Sequence, residues 1–123
     1  MMMTETLFFD TYAFIEIVKG NVNYDKYLTA KIITTKLNLF EFYNSILKEY
    51  NEKEADKGLN NLKDFLVDYD ITIIKEAAKL KYLIGRKVSM TDCIGYITAK
   101  KKGIKFLTGD KEFEFLPDVE FVK

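Results

Sequence analysis

The sequence contains no histidine at all. That removes Ser-His-Asp and Cys-His catalysis and histidine-ligated zinc. It has one cysteine, Cys93, so no internal disulfide and no cysteine cluster can form. There is one proline, Pro117, and no Pro- or Gly-rich linker divides the chain. No apolar run approaches the ~20 residues of a membrane span, which points to a protein without a membrane partner. The opening "MMMTETLFF" lacks the basic region of a signal peptide. With the lone cysteine, this predicts a cytosolic protein. Nor is there an excess of charge of either sign: 19 basic residues stand against 19 acidic ones. A polyanionic partner would have to be drawn by local lysines or a bound cation, because dedicated nucleic-acid binders are usually clearly basic.

What is present suffices for one packed core. The 123 residues are 48% hydrophobic, with ten Phe and eight Tyr. Length and composition predict a single domain over residues 1–123. Five short runs are β-like: Thr6–Phe9, Lys31–Thr34, Ile71–Ile74, Lys105–Thr108 and Val119–Val122, of which the run at Ile71 reads as a poor strand or none. Between them lie helical segments. Thr11–Lys19 ends at Gly20, and Thr91–Lys102 ends at Gly103. Leu39, Phe42, Tyr43, Ile46, Leu47 and Tyr50 recur at helical spacing across Asn38–Tyr50. Glu52–Val67 and Lys75–Arg86 read as further helices. Alternation of this kind predicts an α/β fold, with a mostly parallel sheet flanked by helices in three layers and an αα-hairpin inserted after the second strand.

In such a sheet, ligands bind where strands end and helices begin. Four acids stand at those junctions: Asp10 after the first strand, Glu41 in the first turn of the following helix, Asp92 at the head of a later helix, and Asp110 after "KFLTG". Singly, each has an ordinary explanation. Asp10 can cap a helix. Asn38-Leu-Phe-Glu41 and Ser89-Met-Thr-Asp92 resemble capping boxes. Asp110 follows a turn glycine. Together the four would repel one another and raise each other's pKa. The only arginine, Arg86, has no obvious place among them. A hard divalent cation with oxygen ligands, Mg²⁺ or Mn²⁺, is the natural partner. Such ions can activate water for phosphodiester cleavage without His or Cys.

These stretches carry a resemblance. "FFDTYAFI", "IITTKLNLFEFY" and "MTDCIGYITAKKKGIKFLTGDKEF" are together similar to PIN-domain nucleases, most of all the small VapC-type toxins. The resemblance spans essentially the whole chain. It implies a Mg²⁺- or Mn²⁺-dependent endoribonuclease that hydrolyses RNA by a metal-activated water, often as a homodimer, restrained by a small antitoxin. It implies that Asp10, Glu41, Asp92 and Asp110 are the catalytic and metal-binding residues. Thr11 and Thr108 could orient Asp10 and Asp110, or could simply cap a helix and fill a strand. One departure is Ile94-Gly95-Tyr96, where relatives often carry alanines. Lys100–Lys102 and Lys105 could meet phosphates or complement a helix dipole. Tyr43, Tyr50 and Phe65 are candidates for a partner surface. A catalytically silent PIN-fold module that binds RNA or protein is the alternative, although it would have no reason to keep all four acids. Nucleotide-binding loops are absent, and Tyr12 stands where a D-x-D phosphatase needs its second acid.

Overall fold

The computed structural model describes residues 5–123. Four strands, β1 (Thr6–Phe9), β2 (Lys31–Ile33), β3 (Lys105–Thr108) and β4 (Val119–Phe121), form one sheet in the order β2-β1-β3-β4. All three pairings are parallel. The helices are α1 (Thr11–Val18), α2 (Lys36–Glu49), α3 (Glu52–Leu62), α4 (Ile71–Ile84) and α5 (Met90–Lys101).

Side chains alternate across a strand, and the sheet uses this to build two cores. Leu7, Phe9 and Leu107 pack with Phe14, Leu39, Phe42 and Ile46 from α1 and α2. Phe8 and Phe106 face the other way, against Ala77 of α4 and Cys93, Ile94, Tyr96 and Ile97 of α5. Each fully buried phenyl ring contributes about 2–3 kcal/mol relative to an exposed one. The departure at Ile94-Gly95-Tyr96 has a packing reason. A methyl group on Gly95 would lie 2.8 Å from Phe8 Cε1 and 3.1 Å from Phe106 Cε1. The absent side chain lets α5 settle directly onto β1 and β3. Tyr96 then stacks edge-on against Phe106, and its hydroxyl donates to the Pro117 carbonyl at 2.7 Å.

Three sequence expectations need correction. Ile71–Ile74 is not a strand but the first turn of α4. Asp70 caps it, accepting from Ile73 N at 3.0 Å, and Ile71 is 77% exposed. The helix α2 begins earlier than Asn38. Thr35 is its cap, accepting from Asn38 N, so Glu41 lies in the second turn rather than the first. Finally, α3 stops at Leu62 and passes through a 3-10 turn, Lys63–Phe65. This leads Leu66 into a parallel bridge with Thr34. A 3-10 segment at Val22–Tyr27 was also unforeseen.

Candidate active site

Strand order reverses beside β1: β2 lies on one flank and β3 on the other. That is the switch point at which a parallel sheet opens a crevice. Register decides what lies there. Phe9 pairs with Leu107, and Asp10 N donates to the Leu107 carbonyl at 3.1 Å, so Asp10 and Thr108 end their strands side by side.

Asp10 is only 2% exposed. Its Oδ1 accepts from Thr11 N at 2.8 Å and its Oδ2 from the Thr108 hydroxyl at 2.7 Å. The Thr108 hydroxyl also accepts from Asp110 N at 3.1 Å. Asp110 accepts from Glu112 N at 3.0 Å, capping a short 3-10 turn, Lys111–Phe113. The turn-residue reading of Asp110 is therefore correct as geometry, and so is the cap reading of Asp10. Neither excludes a second task. Ser89 caps α5 through Asp92 N at 3.0 Å, and Asp92 at the head of that helix shares the cleft with Asp10.

Asp10, Asp92 and Asp110 line one cleft of about 460 Å³, with Tyr12, Gly109, Lys111 and Lys123. Glu41 does not line it. Glu41 stands beside the cleft, linked through Thr11, whose hydroxyl donates to Glu41 Oε1 at 3.0 Å. Thr11 is thus tied to Glu41, while Thr108 serves Asp10 and Asp110 together. Burial pushes the Asp10 carboxyl well above the usual range, and the charge and hydrogen bond of Asp92 push it further. Asp92 is raised mainly by burial. So is Glu41, with Asp92 adding repulsion.

One buried residue of this region was not singled out as functional. Asn38 is fully buried, and its Nδ2 donates to the Thr11 hydroxyl at 3.1 Å. Its Oδ1 accepts from the Thr35 hydroxyl at 2.7 Å. The signal was available: Asn38, Phe42 and Ile46 fall at i, i+4 and i+8, so a polar side chain occupies the apolar stripe of α2. Tyr12 and Lys123 also reach the cleft without local warning. Cys93 is buried, and burial pushes its thiol up to about 11, which fits packing rather than nucleophilic chemistry. Of the lysine cluster, Lys101 pairs with Glu76 at 2.8 Å and Lys105 with Glu120 at 3.7 Å.

Could these residues hold a metal ion? Among the described residues no three acidic groups converge into a ready-made cage. The donors are nonetheless all oxygen, and a raised pKa marks carboxylates that lack a neutralising charge. Mg²⁺ usually keeps several waters and takes only one or two protein carboxylates beside substrate phosphates. An open acidic cleft fits that ion better than it fits calcium or zinc.

Residues 7–118 match the PIN domain family. The chain belongs to the PIN-domain family. Its fold agrees with solved members of toxin–antitoxin systems. VapC20 of Mycobacterium tuberculosis, a sarcin–ricin-loop-cleaving toxin, is similar with a TM-score of 0.74 at 17% identity, over 95% of this chain and 99% of that one. VapBC2 of Rickettsia felis, solved on a DNA fragment of its promoter, gives 0.71 at 14% identity, over 95% and 97%. A toxin–antitoxin complex of Klebsiella pneumoniae gives 0.70 at 19% identity, over 93% and 95%. No curated protein matches the PIN chain in sequence. No helix of this PIN domain, among the described residues, is long and apolar enough to cross a membrane.

Proposed function

We propose that this PIN domain is a divalent-metal-dependent endoribonuclease that hydrolyses RNA phosphodiester bonds, and the toxin of a toxin–antitoxin pair. One observation carries the reading: three carboxylates from β1, the head of α5 and the end of β3 share one cleft, and burial and mutual repulsion hold Asp10 and Asp92 above the usual carboxylate range. Asp10, Asp92 and Asp110 would hold Mg²⁺ or Mn²⁺, with Glu41 acting from beside them. A divalent ion bound there supplies an activated water and neutralises charge at the phosphate.

The chain's own part is positioning. Thr108 and Thr11 N fix both oxygens of Asp10. The Thr35–Asn38–Thr11 chain of hydrogen bonds fixes the hydroxyl that Glu41 accepts from. These partners orient ligands before any ion arrives, as outer-shell groups do elsewhere. The whole of residues 1–123 acts as one such unit in the cytoplasm, as a homodimer. An apolar groove between α2 and α3, lined by Leu39, Phe40, Tyr43, Leu47 and Leu59, supports an antitoxin that lays a helix into it. The lack of a ready-made acidic cage favours the second reading, a silent RNA- or protein-binding module.

Incubation with RNA separates the two. The nuclease cleaves in Mg²⁺ or Mn²⁺, stops in EDTA and leaves 5′-phosphate ends. Cleavage undiminished in EDTA, or 2′,3′-cyclic phosphate ends, would contradict the proposal. No cleavage with either ion, by a folded protein, would favour the silent module.

A further inference from the structure

The acidic cleft has two basic residues, and one of them is held there with some care. Lys111 and Lys123 line it beside Asp10, Asp92 and Asp110. Among the described residues neither lysine makes an ion pair, whereas Lys19, Lys101 and Lys105 each do. The Lys123 ammonium lies instead over the Tyr12 ring, 5.8 Å from its centroid. That contact engages the ammonium without a counter-ion. Tyr12 is fixed in turn by a close approach that only glycine allows. A methyl group on Gly109 would strike the Tyr12 ring and would lie 2.5 Å from the Val122 carbonyl oxygen.

The backbone that delivers Lys123 is clasped from two sides. Val122 N donates to the Thr108 carbonyl at 2.9 Å, on the side of β3. From the 3-10 segment Val22–Tyr27 come three side chains. Asn23 Nδ2 donates to the Lys123 carbonyl at 3.0 Å, the Tyr24 hydroxyl to the Val122 carbonyl at 2.6 Å, and the Tyr27 hydroxyl to Glu120 Oε2 at 2.6 Å. Tyr24 and Tyr27 are both buried. The segment therefore works as a clasp on residues 120–123 and sets where Lys123 reaches.

A chain with no net charge offers a polyanion no general attraction. Cations at the reacting cleft must supply it. We propose that Lys123, with Lys111 beside it, binds a substrate phosphate next to the scissile one, so that Lys123 is a substrate-binding residue of the cleft. The proposal rests on the endoribonuclease reading and adds to it where the strand backbone runs: along the Tyr12–Gly109 wall, towards Lys123.

The test uses the full chain and a 5′-fluorescein-labelled single-stranded RNA oligonucleotide. Binding is followed by fluorescence anisotropy in EDTA over a salt series, and cleavage separately in Mg²⁺. Lys123→Met keeps the packing on Tyr12 and loses the charge. Its affinity should fall roughly 10-fold, the scale of one charge-assisted contact. The slope of log K against log salt should become shallower by about 0.7, one phosphate's worth for a single strand. In cleavage KM should rise while kcat holds. Lys123→Arg should behave as wild type, and so should Lys53→Met, on α3 outside the cleft. Unchanged affinity, slope and KM in Lys123→Met, with a wild type that cleaves RNA, would overturn this proposal and leave the nuclease reading standing. Equal losses in Lys123→Met and Lys123→Arg would also overturn it, because packing rather than charge would then be at work. A wild type that neither binds nor cleaves RNA would sink both.

Discussion

The hydroxyl of Thr108 donates to Asp10 Oδ2 at 2.7 Å, joining residues 98 positions apart in the chain. The same oxygen accepts from Asp110 N at 3.1 Å. One buried hydroxyl thus ties together the two aspartates that end β1 and β3. The strand ends "LFFD" and "KFLTGD" do lie side by side.

Replacing Thr108 by valine keeps the shape and removes both hydrogen bonds. Asp110 N loses its acceptor and Asp10 loses a donor. Thr108→Val should destabilise the protein by about 1–2 kcal/mol and lower RNA cleavage roughly 10-fold or more. Thr108→Ser should restore both. Urea unfolding and cleavage, measured on the same preparations, check this. A valine variant as stable and active as wild type would show the hydroxyl to be idle.

The raised carboxyls set the pH dependence of stability. Asp10, Asp92 and Glu41 all have folded-state pKa values above their ordinary ones. The folded state therefore binds more protons than the unfolded state through that window, and stability falls as pH rises. The loss begins near the ordinary carboxylate range, about pH 4, and continues up through the raised values. In EDTA, the urea midpoint should decline as pH rises from the ordinary carboxylate range through the raised values, and Asp92→Asn should flatten the decline. A wild-type midpoint that rises over this range, with Asp92→Asn no flatter, would place the repulsion elsewhere.

Asp110 and Glu112 stand two residues apart, and only Asp110 lines the cleft. If Asp110 were merely a turn residue, Asp110→Asn would be nearly silent, since asparagine suits turns equally. The expected result is a fall in cleavage of about 100-fold, with stability in EDTA level or higher. Asp10→Asn should do the same, and Glu112→Gln should match wild type. Steady-state cleavage by the three variants decides. An active Asp110→Asn beside an inactive Glu112→Gln would mean that the wrong acid of the loop has been assigned.

Gly95 is where α5 meets the sheet. In Gly95→Ala the new methyl meets Phe8 and Phe106 at 2.8 and 3.1 Å. Both rings are fully buried and have little room to turn. A loss of about 1–3 kcal/mol is expected, together with reduced cleavage, because α5 carries Asp92. Unchanged urea unfolding would show that the helix can shift without penalty.

Much of this was legible in the sequence, for physical reasons. The strands β1 and β3 are short apolar runs that stop at an acid, and a parallel sheet brings such ends to one edge. The caps at Asp10 and Ser89 were readable because capping is local. The errors have local causes too. Ile71–Ile74 is rich in β-branched residues, which favour strands, but Asp70 caps it and the helix prevails. Thr35 outcompetes Asn38 as the cap of α2, which puts Glu41 in the second turn rather than the first. Tyr12 and Lys123 had no local signal. Their place depends on Gly109 and on the clasp from Val22–Tyr27, contacts between segments about 100 residues apart.

The central claim is that the cleft of Asp10, Asp92 and Asp110 holds a divalent ion. A crystal of the protein soaked in Mn²⁺ and measured at a wavelength where manganese scatters anomalously tests it directly. The account predicts an anomalous peak within coordination distance, about 2.0–2.2 Å, of oxygens from at least two of the three aspartates, and no such peak in Asp92→Asn. A soaked crystal with no peak in the cleft, or with its manganese bound away from all three, would contradict it.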